Sequence, residues 1–170
     1  DGIEIHTVEH LLASLFGSGV DNAAIEVEGG EVPGMDGSAK VFCDRIREAG
    51  LIDQEAETRP VAPREALAVA EAGASIVAFP AKDGVFRGTY LLHYPESRLA
   101  QGTAEFKIAA ETFPAELAPA RTFVMKAHAE ALLKAGLGQG ATPENTLVLD
   151  GDAIQGNQLR FPDECVRHKI

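Results

Sequence analysis

Three short clusters carry the side chains best suited to chemistry. Glu9 and His10 are adjacent; a neutral imidazole is a metal ligand, and a carboxylate beside it can serve as a base. Neighbouring residues on a helix point about 100° apart, so a division of labour is natural, with His10 coordinating a metal and Glu9 reaching the metal-bound water. His168 and Lys169 supply a second imidazole and a cation suited to a phosphate or a developing oxyanion. Arg121-Thr122-Phe123 reads as the opening of a helix, with a hydroxyl and backbone amides where a carbonyl oxygen could be polarised. Each cluster also has a plainer reading: a solvated Glu beside a packed His, a basic helix face after the acidic start Asp163-Glu164, and a capping Thr with a core Phe. His6, His93 and His128 compete as ligands on spacing alone, and nothing in the physics of the sequence selects His10 with His168.

The elements that must position these residues can be read from periodicity and punctuation. Thr7 is predicted to cap a helix running through Glu9, His10, Leu11, Leu12, Leu15 and Phe16, stopped by Gly17-Ser18-Gly19. Asn22 to Val27 alternates as a strand does, and Pro33 to Ser38 is a turn that delivers the chain into a helix from about Ala39 to Ala49, closed by Gly50. The polar, proline-marked stretch Asp53 to Pro63 is the linker, with the boundary near Arg59. Beyond it, residues 66–70, 74–79, 85–93 and 103–108 read as strands in the layout of an antiparallel sheet. Pro119 to Gly136 reads as a helix with Phe123, Leu132 and Leu133 inward, followed by a strand pair (146–150 and 152–159) around Gly151 and Gly156. A last helix starts near Pro162, with Asp163 and Glu164 complementing its dipole. Strands and helices in each half give an α+β pattern, with domains at 1–58 and 59–170.

Composition narrows the function classes. Among 170 residues, 26 Asp and Glu against 15 Lys and Arg give a net charge of -11, which repels a phosphate backbone, so no nucleic-acid partner is expected. A local basic site for one small anion is compatible with that charge. The longest apolar runs, such as 74–80 and 129–133, fall far short of the ~20 residues of a membrane-spanning helix, so no transmembrane segment is expected. Cys43 and Cys165 lie far apart and outside any CxxC spacing, which argues for a reducing cytoplasm and against a disulfide framework or thiolate zinc site. Walker, G-x-G-x-x-G and G-x-S-x-G motifs do not occur, which removes the usual support for nucleotide-triphosphate, dinucleotide and serine-hydrolase chemistry. The first residue is not Met and the last helix has no stop signal, so both ends are expected to be cut.

Several ordered blocks carry a resemblance. Thr7-Val8-Glu9-His10-Leu11-Leu12, Gly19-Val20-Asp21-Asn22, Glu31-Val32-Pro33, Met35-Asp36-Gly37-Ser38-Ala39 and Phe42 resemble the first-domain signature of the UDP-3-O-acyl-N-acetylglucosamine deacetylase family. Arg121-Thr122-Phe123 and the run from Leu159 to Lys169 resemble its later blocks in the same order, while residues 62–119 match least. Within the blocks, Gly34 stands where the family usually has a larger apolar residue, and Val124 where Gly is commoner.

The resemblance implies two similar α+β domains, each a mainly antiparallel sheet with packed helices, enclosing a Zn2+ site at their interface and an apolar passage for an acyl chain. It implies that His10 and His168 are two of three zinc ligands, the third being an Asp one helical turn beyond His168. Glu9 then resembles the general base, Thr122 the residue that polarises the scissile carbonyl, and Phe123 and Lys169 substrate-contacting positions. The implied activity is zinc-dependent removal of acetate from UDP-3-O-acyl-N-acetylglucosamine in lipid A biosynthesis, by a cytoplasmic monomer. The rival expectation is a non-catalytic relative, a small-molecule-binding module that keeps the fold.

Overall fold

A computed structural model describes residues 2–170 as a mixed α and β fold of small sheets and short helices. Helix α1 (Glu9–Gly17) starts with Glu9 in its first turn, where a carboxylate meets the positive end of the helix dipole. Thr7 does not cap it. With φ at 57°, Thr7 turns away from the helix and its hydroxyl donates to Glu31 Oε1 at 2.6 Å, leaving Val8 at the cap position without a side-chain bond. The helix closes at Gly17, where an added Cβ would lie 2.1 Å from the Phe113 ring. The strand expected at 22–27 does not form. Alternation makes a segment capable of pairing, but a strand also needs a neighbour, and the pairing nearby is a single parallel bridge between His6 and Glu31.

The turn at 33–38 leads into α2 (Lys40–Ala49), which Gly50 ends at φ 76°. Contacts then divide the described chain into two compact units. One is Ile52–Phe86, a single antiparallel hairpin of β1 (Leu67–Glu71) and β2 (Ala74–Ala78) joined through Ala72 and Gly73, both at positive φ, with every strand residue exposed. The anticipated boundary near Arg59 falls inside this segment.

The other unit joins the chain up to Leu51 with Arg87–Ile170. Strands β3 (Arg87–His93) and β4 (Gln101–Lys107) pair antiparallel, so the four strands anticipated as one sheet form two separate two-stranded ladders. A short helix, α3 (Phe113–Glu116), precedes β5 (Phe123–Met125), which runs straight into α4 (Lys126–Lys134). The long helix anticipated from Pro119 is therefore only its second half. Arg121-Thr122-Phe123 leads into a strand instead, because Thr122 and Phe123 are taken up by the parallel ladder with β6 (Leu147–Asp150), which pairs in turn with β7 (Ala153–Gln155). Leu132 and Leu133 point outward, 43% and 58% exposed, contrary to the inward reading.

Helix α5 (Glu164–Lys169) organises this unit. Cys165 and Val166 are buried with Leu92, Ala100, Met125, Leu147 and Leu149, while Ile170 packs against a second core of Ala39, Cys43, Phe113, Leu117 and Ala118. Each buried Leu here contributes about 1.5–3 kcal/mol by leaving water. His168 therefore sits on a short helix held from two sides.

Candidate active site

Helix α1 and helix α5 bring His10 and His168 together. Their ring centroids lie 5.3 Å apart at an interplanar angle of 72°. His10 is buried, and neither of its ring nitrogens has a hydrogen-bond partner. An unpaired buried polar atom costs about 1–3 kcal/mol; in the neutral His10 ring one nitrogen carries the proton and the other keeps a lone pair, which a metal ion can take up. His168 is anchored differently, with Nδ1 3.1 Å from the Ala120 carbonyl oxygen. A carbonyl only accepts, so Nδ1 carries the proton and Nε2 keeps its lone pair free. Burial is the main cause lowering the His10 pKa, against the opposing charges of Glu9 and Asp36. Burial also pushes His168 down to about 4, although the Ala120 carbonyl pulls it up; His10 and Lys169 add to the lowering. Both imidazoles are neutral at pH 7, which is the ligand form.

Around this pair lies a cleft of ≈ 220 Å³, with Glu9, His10, His168 and Lys169 on its polar side and Ala13, Ala39, Phe113 and Leu117 among its apolar wall. Glu9 is exposed at the mouth, on the first residue of α1. Phe123 stands edge-on to His168 at 6.5 Å, and Lys169 Nζ lies 5.3 Å from the centre of the Phe123 ring. Thr122 is fixed through its backbone: its amide donates to the Gly37 carbonyl at 2.8 Å and its carbonyl accepts from the Leu147 amide at 2.9 Å. That amide is thus not available to polarise a substrate carbonyl, contrary to the sequence reading, which leaves the hydroxyl. The rival histidines His6, His93 and His128 are all exposed.

Two imidazoles are a good but partial donor set for zinc, which takes three protein ligands in hydrolytic sites. Among the described residues there is no group of three or more His, Cys, Asp or Glu side chains placed to hold a metal ion.

Sequence reasoning missed the groups that hold the site in place. Arg121 and Glu164, 3% and 0% exposed, form a buried ion pair with Nε 2.9 Å from Oε1. Arg160 reaches Asp36 Oδ2 and the Pro119 carbonyl oxygen, each at 2.9 Å, and so links the turn before α2 to the loop before β5. No local signal marks the first pair, because its partners stand 43 positions apart.

A cleft with two neutral, facing imidazoles and a carboxylate at its mouth defines a candidate hydrolytic metal site on a mixed α and β scaffold. The family model for UDP-3-O-acyl N-acetylglycosamine deacetylase matches residues 1–170, and the chain belongs to that family. It is 38% identical, over 100% of its length, to the UDP-3-O-acyl-N-acetylglucosamine deacetylase of Thermodesulfovibrio yellowstonii, of which it covers 58%. The deacetylases of the same name from Myxococcus xanthus and Chlamydia trachomatis serovar L2 are 37% and 40% identical over all of the chain, which covers 54% and 59% of them. The chain thus spans a little over half the length of these relatives. No helix among the described residues is long and apolar enough to cross a membrane.

Proposed function

We propose that this chain carries the metal-holding core of a zinc-dependent hydrolase that removes the acetyl group from UDP-3-O-acyl-N-acetylglucosamine in lipid A biosynthesis, releasing acetate and a free amine. The observation that carries the reading is the buried His10 imidazole, unpartnered at both nitrogens and 5.3 Å from the His168 ring. His10 and His168 would hold the zinc, with a third ligand expected from an Asp one helical turn beyond His168, as in the family resemblance. When bound, zinc supplies Lewis acidity and a water that ionises near neutral pH.

Glu9, on the helix residue next to His10, accepts the proton of the attacking water. The Thr122 hydroxyl donates to the carbonyl oxygen as negative charge develops on it. Phe123 offers an apolar face to the sugar, and Lys169, standing over that ring, meets the anionic end of the substrate. Glu9 and His10 come from residues 1–58, and Thr122, Phe123, His168 and Lys169 from 59–170. Taking these stretches as two similar α+β domains makes the site one that both contribute to. The two buried, unpaired thiols Cys43 and Cys165 suit a cytoplasmic location, and the enzyme is taken to work as a monomer.

A second reading, a binding module with the same fold and no chemistry, draws on the absence of a third metal donor beside the pair among the described residues. A version extended to the length of the relatives decides between them. Zinc content and acetate release are measured for wild type, Glu9→Gln and His10→Ala. Glu9→Gln should keep zinc and lose about 10²- to 10⁴-fold in turnover, the usual worth of a general base; His10→Ala should lose zinc and activity together. Near-normal turnover in zinc-loaded Glu9→Gln overturns the role of Glu9, and a protein without zinc or acetate release favours the binding module.

A further inference from the structure

The buried pair Arg121–Glu164 has a geometry beyond that of an ion pair. Glu164 Oε1 accepts from the Arg121 backbone amide at 3.0 Å and from Arg121 Nε at 2.9 Å. Its Oε2 accepts from Arg121 Nη2 at 3.2 Å and from the Arg160 amide, while Arg121 Nη2 also donates to the Gln158 carbonyl at 2.7 Å. The Arg121 amide belongs to the same peptide group as the Ala120 carbonyl, which receives His168 Nδ1 at 3.1 Å. One planar peptide is therefore held at both ends by one helix, its N–H by Glu164 and its C=O by His168. Those two residues are four apart and share a face of α5. The peptide unit is rigid, so its N–H cannot turn away from Glu164 without its C=O turning away from His168.

We propose that Glu164 is a positioning residue, which fixes the Ala120–Arg121 peptide so that its carbonyl holds His168 in the Nδ1–H tautomer with Nε2 directed at the metal. The inference rests on the reading of His168 as a zinc ligand, but its central claim concerns the protein without metal. Left alone in water, an imidazole favours the Nε2–H form, so a pure Nδ1–H tautomer requires a partner to hold it. Glu164→Gln preserves the shape of the side chain and replaces one acceptor oxygen by a donor that faces the Arg121 or Arg160 donors. Arg121→Lys, in contrast, removes the guanidinium fork yet keeps the cation and the backbone amide. The peptide clamp requires the amide, so the two variants should behave differently.

The test uses the metal-free ¹⁵N-labelled chain and long-range ¹H–¹⁵N correlation spectra of its histidines at neutral pH. Wild type should show His168 as Nδ1–H; an Nε2–H signal there overturns the proposal at once. Glu164→Gln should move His168 to a mixture of tautomers while the backbone amide spectrum stays folded, and an unchanged Nδ1–H signal in that folded variant also overturns it. Arg121→Lys should keep the wild-type tautomer, and a mixture there means that the side-chain fork, not the peptide, orients the ring. Should Glu164→Gln fail to fold, the wild-type and Arg121→Lys spectra still decide. In the extended version, Glu164→Gln should weaken zinc binding by about 10- to 100-fold, the usual effect of losing a group that orients a ligand. A tautomer shift without that loss leaves the clamp standing and refutes His168 as a ligand.

Discussion

Replacing Gly37 by Ala should be among the costliest single-methyl changes in this protein. Gly37 adopts φ 78°, a region in which a side chain costs about 1–2 kcal/mol. An added Cβ would stand 1.7 Å from the Asn145 carbonyl oxygen and 2.7 Å from its carbonyl carbon. Those are backbone atoms, so relief requires moving the loop before β6 or the turn before α2. Moving the turn stretches the bond from the Thr122 amide to the Gly37 carbonyl, 2.8 Å long, which is worth about 1 kcal/mol. Overpacking adds about 1–3 kcal/mol, so the expected loss is roughly 3–6 kcal/mol, against the ~5–15 kcal/mol total of a typical domain.

Gly34 is the matched control, three residues earlier in the same turn, with an ordinary φ and nothing within 4 Å of an added Cβ. Urea unfolding followed by far-ultraviolet circular dichroism suits a chain without Trp. Gly34→Ala should lie within about 0.5 kcal/mol of wild type, as exposed substitutions do. Gly37→Ala within about 1 kcal/mol of wild type would refute the reasoning, since it would mean that the turn can move without cost and does not fix Thr122.

Two further predictions follow from titratable groups, the half-buried Asp36 and the buried Cys165. Burial alone would raise the Asp36 pKa, but hydrogen bonds from Ser38 and Arg160, with the Arg160 charge, outweigh it and hold the carboxyl below its ordinary value. A depressed folded pKa stabilises above the unfolded value and the benefit disappears as pH falls through the folded one; wild type should therefore melt above Asp36→Asn at pH 6 and converge with it below pH ~4, and a constant gap in melting temperature between pH 6 and 2 contradicts the assignment. Burial, reinforced by the Glu164 charge, pushes Cys165 up to about 12, leaving a thiolate fraction on the order of 10⁻⁴ at pH 8. Iodoacetamide at that pH should spare Cys165 in the folded chain and label it in urea, and labelling of the folded chain at the rate of a free cysteine refutes the burial.

What the sequence made legible follows the range of the interactions concerned. Helix α2 could be read because its signals are local: a turn rich in Pro and Gly before it and Gly50 after it. The hairpin of β1 and β2 is local as well, with Ala72 and Gly73 supplying the two positive φ values that its turn needs. The strand expected at 22–27 and the helix expected from Pro119 fail for one shared reason. Whether a chain with the right alternation becomes a strand depends on a partner, and β5 gains its partner from residues 147–149, more than twenty positions away. The same holds for Thr7, whose hydroxyl serves Glu31 rather than the helix it precedes.

The site divides along the same line. Glu9 beside His10 and Lys169 beside His168 are adjacent pairs, so residue type alone proposed them, yet the facing of the two imidazoles is a fact of α1 and α5 that no spacing encodes. Family resemblance joined the two pairs, because separated blocks in fixed order carry information about long-range contact that periodicity lacks. Resemblance still passed over Glu164, since a carboxylate at a helix start has a sufficient local explanation in the dipole. Only its burial, and the four hydrogen bonds it accepts across the fold, distinguish it from such a residue. A charge that would be cheap to leave in water has been brought out of it, and that desolvation is offset only where every acceptor is met. The peptide it holds is the one that orients His168, so the cost of burying Glu164 is borne at the point where the imidazole's direction matters most.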